Sequence, residues 1–312
     1  MDAFSDSGEL YTIRNQFYTN QHNKVRGYSL DQFSSENQLK VLEYQIRSSI
    51  ALEQDASKLI DEGKVKFADN EQLFQLLSAW NDLKSFGTDD STYFDDIKKA
   101  EFELQAVLTS IYLVRQEKDI DQAINLLVEY IDSKGNFDEL EPYLVLIQLY
   151  LSKGNFTSAN KIFNDFQKFP DHTRDSIIYQ VLESWIYSLK GETDNINNSY
   201  YFYDELLSTD FDDDNQGHFK ILNVLFVLTL KLKHYPEAKE LIQSINALNL
   251  KTPNGDFIAN QITLDYLDND GANVDKLLEE LKTVEPEHQL IVDLNEKNDA
   301  FDEIVGKYKV SA

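Results

Sequence analysis

Cysteine is absent from all 312 residues. That removes disulfides, thiol chemistry and any cysteine-based zinc site, and it fits a reducing compartment. Proline is scarce at 5 and glycine at 11, and long alternating Val/Thr/Ile runs are few, so the chain reads as nearly all helix. No apolar run reaches the length a bilayer needs: the most apolar stretch, Ile221 to Leu230, is 10 residues between Lys220 and Lys231, about half a membrane span. The opening MDAFSDSGEL is acidic and lacks the basic and apolar regions of a signal peptide, so none is expected. No glycine follows Met1 and no C-terminal cysteine could carry a prenyl group, so no lipid anchor is expected either. Basic residues are in deficit, with Lys+Arg 29 against Asp+Glu 55 and a net charge of −26. This argues against nucleic acid or an anionic membrane as a direct ligand and leaves a solvated acidic exterior, or a partner whose facing surface is basic.

Catalytic and cofactor motifs are missing as well. The 5 histidines, His22, His172, His218, His234 and His288, lack metal-ligand spacing and are expected at the surface. There is no glycine-rich dinucleotide loop, no Walker A sequence and no G-x-S-x-G. Asp212-Asp213-Asp214-Asn215-Gln216-Gly217 echoes a calcium loop, but its twelfth place is Asn223 where a bidentate Glu is required, so a solvated loop is the reading. Asn155-Phe156-Thr157 and Asn197-Asn198-Ser199 match glycosylation sequons and read better as turn and cap chemistry. Tyr at 17 and Phe at 19 fall at helical spacing and are expected in the core rather than on a base-stacking platform. No enzyme, cofactor or metal is expected.

What the sequence does carry is a repeat, clearest in Tyr150 to Pro170. Leu146, Ile147 and Tyr150 share one helix face; Lys153-Gly154-Asn155 breaks it; Thr157 or Ser158 can cap a second helix. Ala159, Phe163 and Phe166 then fall at i, i+4 and i+7, and Pro170 closes the unit. This is the pattern of a tetratricopeptide (TPR) helical hairpin, with the small Ala159 where helix B approaches helix A. The same marker recurs at Ala123, Ser199, Ala238 and Val274, each followed by apolar residues. Successive spacings of 36, 40, 39 and 36 residues indicate an all-α, TPR-like helical-hairpin solenoid with irregular repeats and a right-handed superhelix. The glycine usual in helix A is replaced by Ile111, Ile147 and Phe226.

Along the rest of the chain, residues Met1 to Gly8 are expected to be disordered and residues 9–312 to form a single solenoid. Helices are expected from Leu10 to Tyr18, from Val25 to about Phe33 after a turn at Gln21-His22-Asn23, from Gln38 to Leu52, from Ala56, and from Asn70 to Leu83. A short helix from Thr92 to about Lys99 follows a loop at Ser85 to Ser91. Hairpins then run from Phe102 to Ser133, from Ile177 across a longer loop at Gly191 to Asn198, from Phe219, and from Phe257. The tail from about residue 290 to 312 caps the array, interrupted at Glu296-Lys297-Asn298-Asp299.

Glu9 to Val25 (ELYTIRNQFYTNQHNKV) and Asn295 to Ala312 (NEKNDAFDEIVGKYKVSA) resemble the opening and closing segments of the coatomer epsilon subunit family. Ser110 to Leu113 and Ser199 to Leu207 (SYYFYDELL) resemble its middle repeats. The resemblance is collinear over nearly the whole chain, apart from the acidic insert at Asp210 to Asn215 and the Ser/Asn-rich N-terminal loops. It implies a non-catalytic subunit of the COPI vesicle coat that curls around and stabilises the C-terminal region of the coatomer alpha subunit. Other coatomer subunits are contacted indirectly, and membranes only through the coat. It implies cycling between cytosol and Golgi membranes in retrograde Golgi-to-ER and intra-Golgi transport.

Helix A of each unit lines the concave face of such a solenoid. Spacing from Ile111, Ile147 and Phe226 selects Leu108, Tyr112, Leu144, Gln148, Leu151, Asn223, Val227 and Leu230 as candidate partner-binding residues, mostly apolar and suited to an extended partner segment. The alternative for the apolar ones is packing between adjacent repeats. A second functional reading, a TPR adaptor or co-chaperone for short acidic tails, requires Lys or Arg along this face.

Overall fold

Helix hairpins dominate because the apolar residues recur at helical spacing and the breakers fall between them. The computed structural model describes residues 8–88, 92–134, 139–169, 171–208, 214–250 and 253–308, with only the backbone at 167, 171 and 172. Among the described residues there are 16 α-helices and no strand, so the fold is all-α. The residues group into two compact units, Met1–Gly217 and His218–Ala312.

In the first unit α1 (Tyr11–Tyr18) and the short α2 (His22–Arg26) precede α3 (Gln38–Ala51). Then follow α4 (Ser57–Lys66), α5 (Glu71–Phe86), α6 (Glu103–Arg115), α7 (Ile120–Lys134), α8 (Glu141–Ser152), α9 (Phe156–Asp165), α10 (Ile177–Lys190) and α11 (Thr193–Leu207). The hairpins α6–α7, α8–α9 and α10–α11 pack closely, and the A helices α6, α8 and α10 lie side by side. The second unit holds nearly all of α12 (Asn215–Leu232), then α13 (Tyr235–Ala247), the hairpin of α14 (Gly255–Asp268) with α15 (Val274–Val284), and α16 (Gln289–Lys307).

The repeat markers are where the spacing puts them: Ala123, Ala159, Ser199, Ala238 and Val274 are all buried. Ser199 Oγ also donates to the Ser184 carbonyl across its hairpin at 3.0 Å. Each A-to-B turn passes through a left-handed residue: Lys118, Gly154, Gly191, Lys233 or the Asp270-Gly271 pair. Gly154, at φ 69°, adopts this conformation without steric cost. The cap of α9 is Asn155, whose side chain accepts from Ser158 N, rather than Thr157 or Ser158.

Other boundaries differ from expectation for identifiable reasons. The Gly191–Asn198 loop shrinks to Gly191 and Glu192: Gly191, at φ 80°, completes the turn alone. Buried Ile196, Ser199 and Tyr203 then extend α11 back to Thr193. The helix expected from Thr92 is a series of turns, pinned by buried Phe94, which stacks on Tyr112 with centroids 4.9 Å apart. The turn expected at His22 is the start of α2, and the helix expected from Val25 to Phe33 is broken after Arg26 and ends in a single 3-10 turn at Leu30–Gln32. His22 is buried rather than at the surface, its ring nitrogen 3.2 Å from Ser48 Oγ. Helix α16 runs straight through Glu296–Asp299. The N-terminal segment before Gly8, Pro170 and residues 210–213 of the acidic insert lie outside the described residues.

Gly63 separates two glycine effects. A Cβ there would sit 2.3 Å from Phe74 Cε1 and 2.9 Å from Leu42 Cδ2, whereas one on Gly306 in α16 meets nothing within 4 Å. Gly63→Ala is expected to lower stability by ~1–3 kcal/mol through overpacking, although Ala is the better helix former. Gly306→Ala should raise it by up to ~1 kcal/mol. Opposite shifts in thermal melting of the two variants check this.

Candidate functional site

The helix that organises the first unit is α3, where every residue from Val41 to Ile50 is buried. One face, Leu42, Ile46 and Ile50, joins the core formed with α4 to α8. Val41 and Tyr44 pack against Ile13 and Val25 of α1 and α2. The third face is charged, which the apolar pattern alone could not have placed in an interior.

Arg47 is its centre. Its Nη1 donates to Glu43 Oε1 at 3.1 Å and to Glu141 Oε2 at 3.1 Å, and Nη2 donates to Glu141 Oε1, a bidentate pairing. All three side chains are less than a tenth exposed. The Phe17 ring of α1 lies 4.6 Å from the guanidinium carbon. Lys40 continues the line, 2.9 Å from Glu43 and 4.0 Å from Glu103. Helix α1 touches α2, α3 and α10, so the first helix of the unit also meets the α10–α11 hairpin, and the Tyr18 hydroxyl bonds to Glu141.

Burial acts on Lys40, Arg47, Glu141, Tyr18 and Glu103, and the neighbours oppose or reinforce it. It opposes the charges of Lys40 and Arg47, but Glu43 for the first and Glu141 for the second outweigh it and hold both pKa values up. Burial also opposes ionisation of Glu141, yet the charge and hydrogen bonds of Arg47 keep it below the ordinary carboxylate value. Tyr18 is pushed well up by burial and by Glu141. Glu103 is the exception among the carboxylates: burial, with Glu141, Glu43 and Glu139 nearby and only Lys40 opposing, pushes it up to about 7. It opens on a groove of about 470 Å³ lined also by Lys40, Glu43, Asp69, Glu71 and Glu139.

The candidate residues along the A helices divide by burial. Leu108 is 3% exposed, part of the first core; it packs between helices and offers no surface. Tyr112 is half-buried, its hydroxyl bonded to Asp95 at 2.7 Å and Glu117 at 3.2 Å. Leu144 and Leu151 are half-buried against the α8–α10 core, and Gln148 between them is exposed. Leu144, Gln148 and Leu151 therefore come together as one strip of α8. In the second unit Leu230 is buried. Asn223 accepts from Asn260 of α14 at 3.1 Å, and Val227 is half-buried one turn further along α12. The ion cluster was missed from sequence: Lys40, Glu43 and Arg47 at i, i+3 and i+7 on an apolar helix were the signal, but the partner carboxylate is 94 residues away.

Among the described residues no group of His, Cys, Asp or Glu could hold a metal ion, and no helix is long and apolar enough to cross a membrane.

Comparison with known proteins places these features in a family. The family model described as coatomer epsilon subunit matches residues 6–309. The chain is similar to coatomer subunit epsilon of Saccharomyces cerevisiae, 26% identical over 231 residues, spanning 69% of this chain and 73% of that protein. It is also similar to a probable coatomer subunit epsilon of Schizosaccharomyces pombe, 23% identical over 209 residues, spanning 65% of this chain and 64% of that protein.

Removing Arg47 leaves Glu141 as a buried charge without its ion-pair partner and Glu43 with Lys40 alone, so Arg47→Met is expected to cost ~3–5 kcal/mol in urea unfolding. Arg47→Met with Glu43→Gln and Glu141→Leu should recover much of that loss. Glu103 sets a separate pH dependence. Its folded pKa lies above its ordinary value, so folding takes up a proton, and its contribution to stability grows as pH falls from about 7 toward 4.5. Melting temperatures across that range should rise more for the native chain than for Glu103→Gln; parallel curves would contradict the assignment.

Proposed function

The chain belongs to the coatomer epsilon subunit family, a structural component of the COPI coat that associates with other coatomer subunits, and from that premise we propose that its A-helix face holds the C-terminal region of the coatomer alpha subunit. The strip Leu144, Gln148 and Leu151 on α8, in the first unit, is the centre of this surface. The observation that carries the reading is the α8 strip itself: an exposed Gln148 between two half-buried leucines. Such a strip offers apolar area and one amide for an extended backbone, without chemistry of its own. The role is non-catalytic: the chain stabilises its partner within the coat, reaches Golgi membranes only through it, and supports retrograde Golgi-to-ER and intra-Golgi transport.

An adaptor for acidic tails is less well supported. Arg47 and Lys40, the cations on α3, are each committed to carboxylates of the same chain.

Co-purification with the C-terminal region of an alpha-type coatomer subunit tests the proposal. A one-to-one complex on gel filtration and a higher melting temperature than the free chain are expected. Gln148→Arg should weaken binding about tenfold, ~1.4 kcal/mol, with unchanged melting of the free chain, and Leu151→Asp should weaken it further. Separate peaks at micromolar concentration, or binding indifferent to both substitutions, would overturn it.

A further inference from the structure

Helix α16 is well buried only near its start. Ile291 is buried with Ile258, Ile262, Val274 and Leu281, but from Asn295 to Tyr308 every residue is exposed. That is about four helical turns, ~20 Å. A helical segment this short is marginal in water without a packed face.

The exposed segment is written in heptads. Leu294, Asn298, Phe301, Val305 and Tyr308 continue the line of Ile291 at alternating steps of three and four, the seam of a helix that pairs with another helix. Leu294 is 36% exposed, Val305 40%, Phe301 65% and Tyr308 79%, and large apolar side chains left open in one stripe mark an interaction surface. Asn298 and the β-branched Val305 occupy the a positions, and Leu294, Phe301 and Tyr308 the d positions. A β-branched residue at a with a single Asn at another a is the pattern of two parallel helices held in one register. The positions flanking the seam are Asn295, Lys297, Asp302 and Ile304. Lys297 is at g and Asp302 at the following e. Glu296, Asp299 and Glu303 lie away from the seam, toward the far side of the helix.

We propose that the exposed part of α16 pairs in parallel, and in register, with the same segment of a second copy of this chain. The flanking charges select that occupant. In a parallel pair each g position faces the following e of the other helix, so Lys297 of each copy meets Asp302 of the other, twice by symmetry. One charge of each sign is therefore self-complementary, whereas a helix with flanks of a single sign would meet one of the two unfavourably. The polar layer agrees. Asn298 meets Asn298, and two amides can satisfy each other's donor and acceptor; an apolar residue in that layer would leave the amide unpaired. An antiparallel pair loses both features, because a then faces d and g faces g. Asn298 would lie against Leu294, Phe301 or Tyr308, and Lys297 would be parted from Asp302. The net charge of −26 on each chain opposes association, but at physiological ionic strength repulsion is screened beyond about 8 Å. This surface is independent of the A-helix reading, since none of its residues lies on α8.

Sedimentation velocity of the full chain at physiological ionic strength is the test. The seam is short and its pairing weak, so a reversible dimer whose share grows between about 1 and 100 µM is expected. Lys297→Glu or Asp302→Lys alone sets like charges face to face and should weaken the dimer about tenfold. The two together exchange the signs and should restore it. Phe301→Asp with Val305→Asp should abolish the dimer, and because both residues are exposed the melting temperature of the dilute chain should not move. The lack of native cysteine allows a check of direction. On oxidation Val305→Cys chains should link to one another, and Glu296→Cys chains, substituted on the far face, should not. A monomer at all these concentrations, or a dimer indifferent to the charge and seam substitutions, overturns the proposal. So does readier linkage of Val305→Cys chains to Leu294→Cys chains than to one another, which would make the pair antiparallel. Sedimentation with phosphatidylserine-containing vesicles that depends on Phe301 would overturn it in favour of a membrane. Binding of the alpha-subunit region that the double aspartate substitution abolishes and Gln148→Arg leaves intact would overturn it in favour of that region.

Discussion

Two helices approach closely only where a small side chain sits at their crossing, and the chain meets that condition hairpin after hairpin. Ala123, Ala159 and Ala238 are completely buried and Ser199 nearly so. Around each crossing the longer side chains have fixed places: Leu127 and Tyr130 follow Ala123, and Phe163 and Phe166 follow Ala159, all buried. The turn before each crossing uses one left-handed residue, or two in the case of Asp270-Gly271, which lets helix B fold straight back. A hairpin closed this way still exposes one apolar face, and stacking on the next hairpin covers it. The period of the array is therefore set by the crossings, and the irregular spacing is absorbed in loops.

The first unit adds a constraint of another kind. Arg47, Glu43 and Glu141 are charges withdrawn from water, and replacing such a group by well-packed apolar residues is often neutral or even stabilising. Its effect is to fix one pairing. A guanidinium held by two carboxylates accepts only one placement of α8 against α3, and the Tyr18 hydroxyl on Glu141 brings α1 to the same point. The N-terminal helices, weakest in local pattern, are thereby tied to the middle of the unit. Glu103 at the edge of the cluster, with its raised pKa and its opening on a groove, is where this arrangement is sensitive to protons.

For a coat subunit the consequence is a division of surfaces. Interior residues hold helices together. The α8 strip and the outer part of α16 both present apolar side chains at helical spacing.

The helical class, the hairpin crossings and most element boundaries were legible in the sequence because they depend on neighbours within a turn or two of helix. The periodicity of Ala, Phe and Leu encodes them directly. The candidate surface was legible only in part: spacing along α6, α8 and α12 selects one face of each helix but could not separate buried Leu108 and Leu230 from exposed Gln148, since that depends on which neighbour covers each turn. Phe94 acting as a plug rather than part of a helix, His22 buried against Ser48, and Arg47 paired with a carboxylate 94 residues away all rest on contacts between distant segments. The sequence by itself determined where helices start, turn and cross, because those are local steric and hydrogen-bonding matters. Only the tertiary structure decided which charges are buried together and that the apolar stripe along the outer part of α16 stays exposed among the described residues, because burial belongs to the packed assembly of helices and not to any one of them.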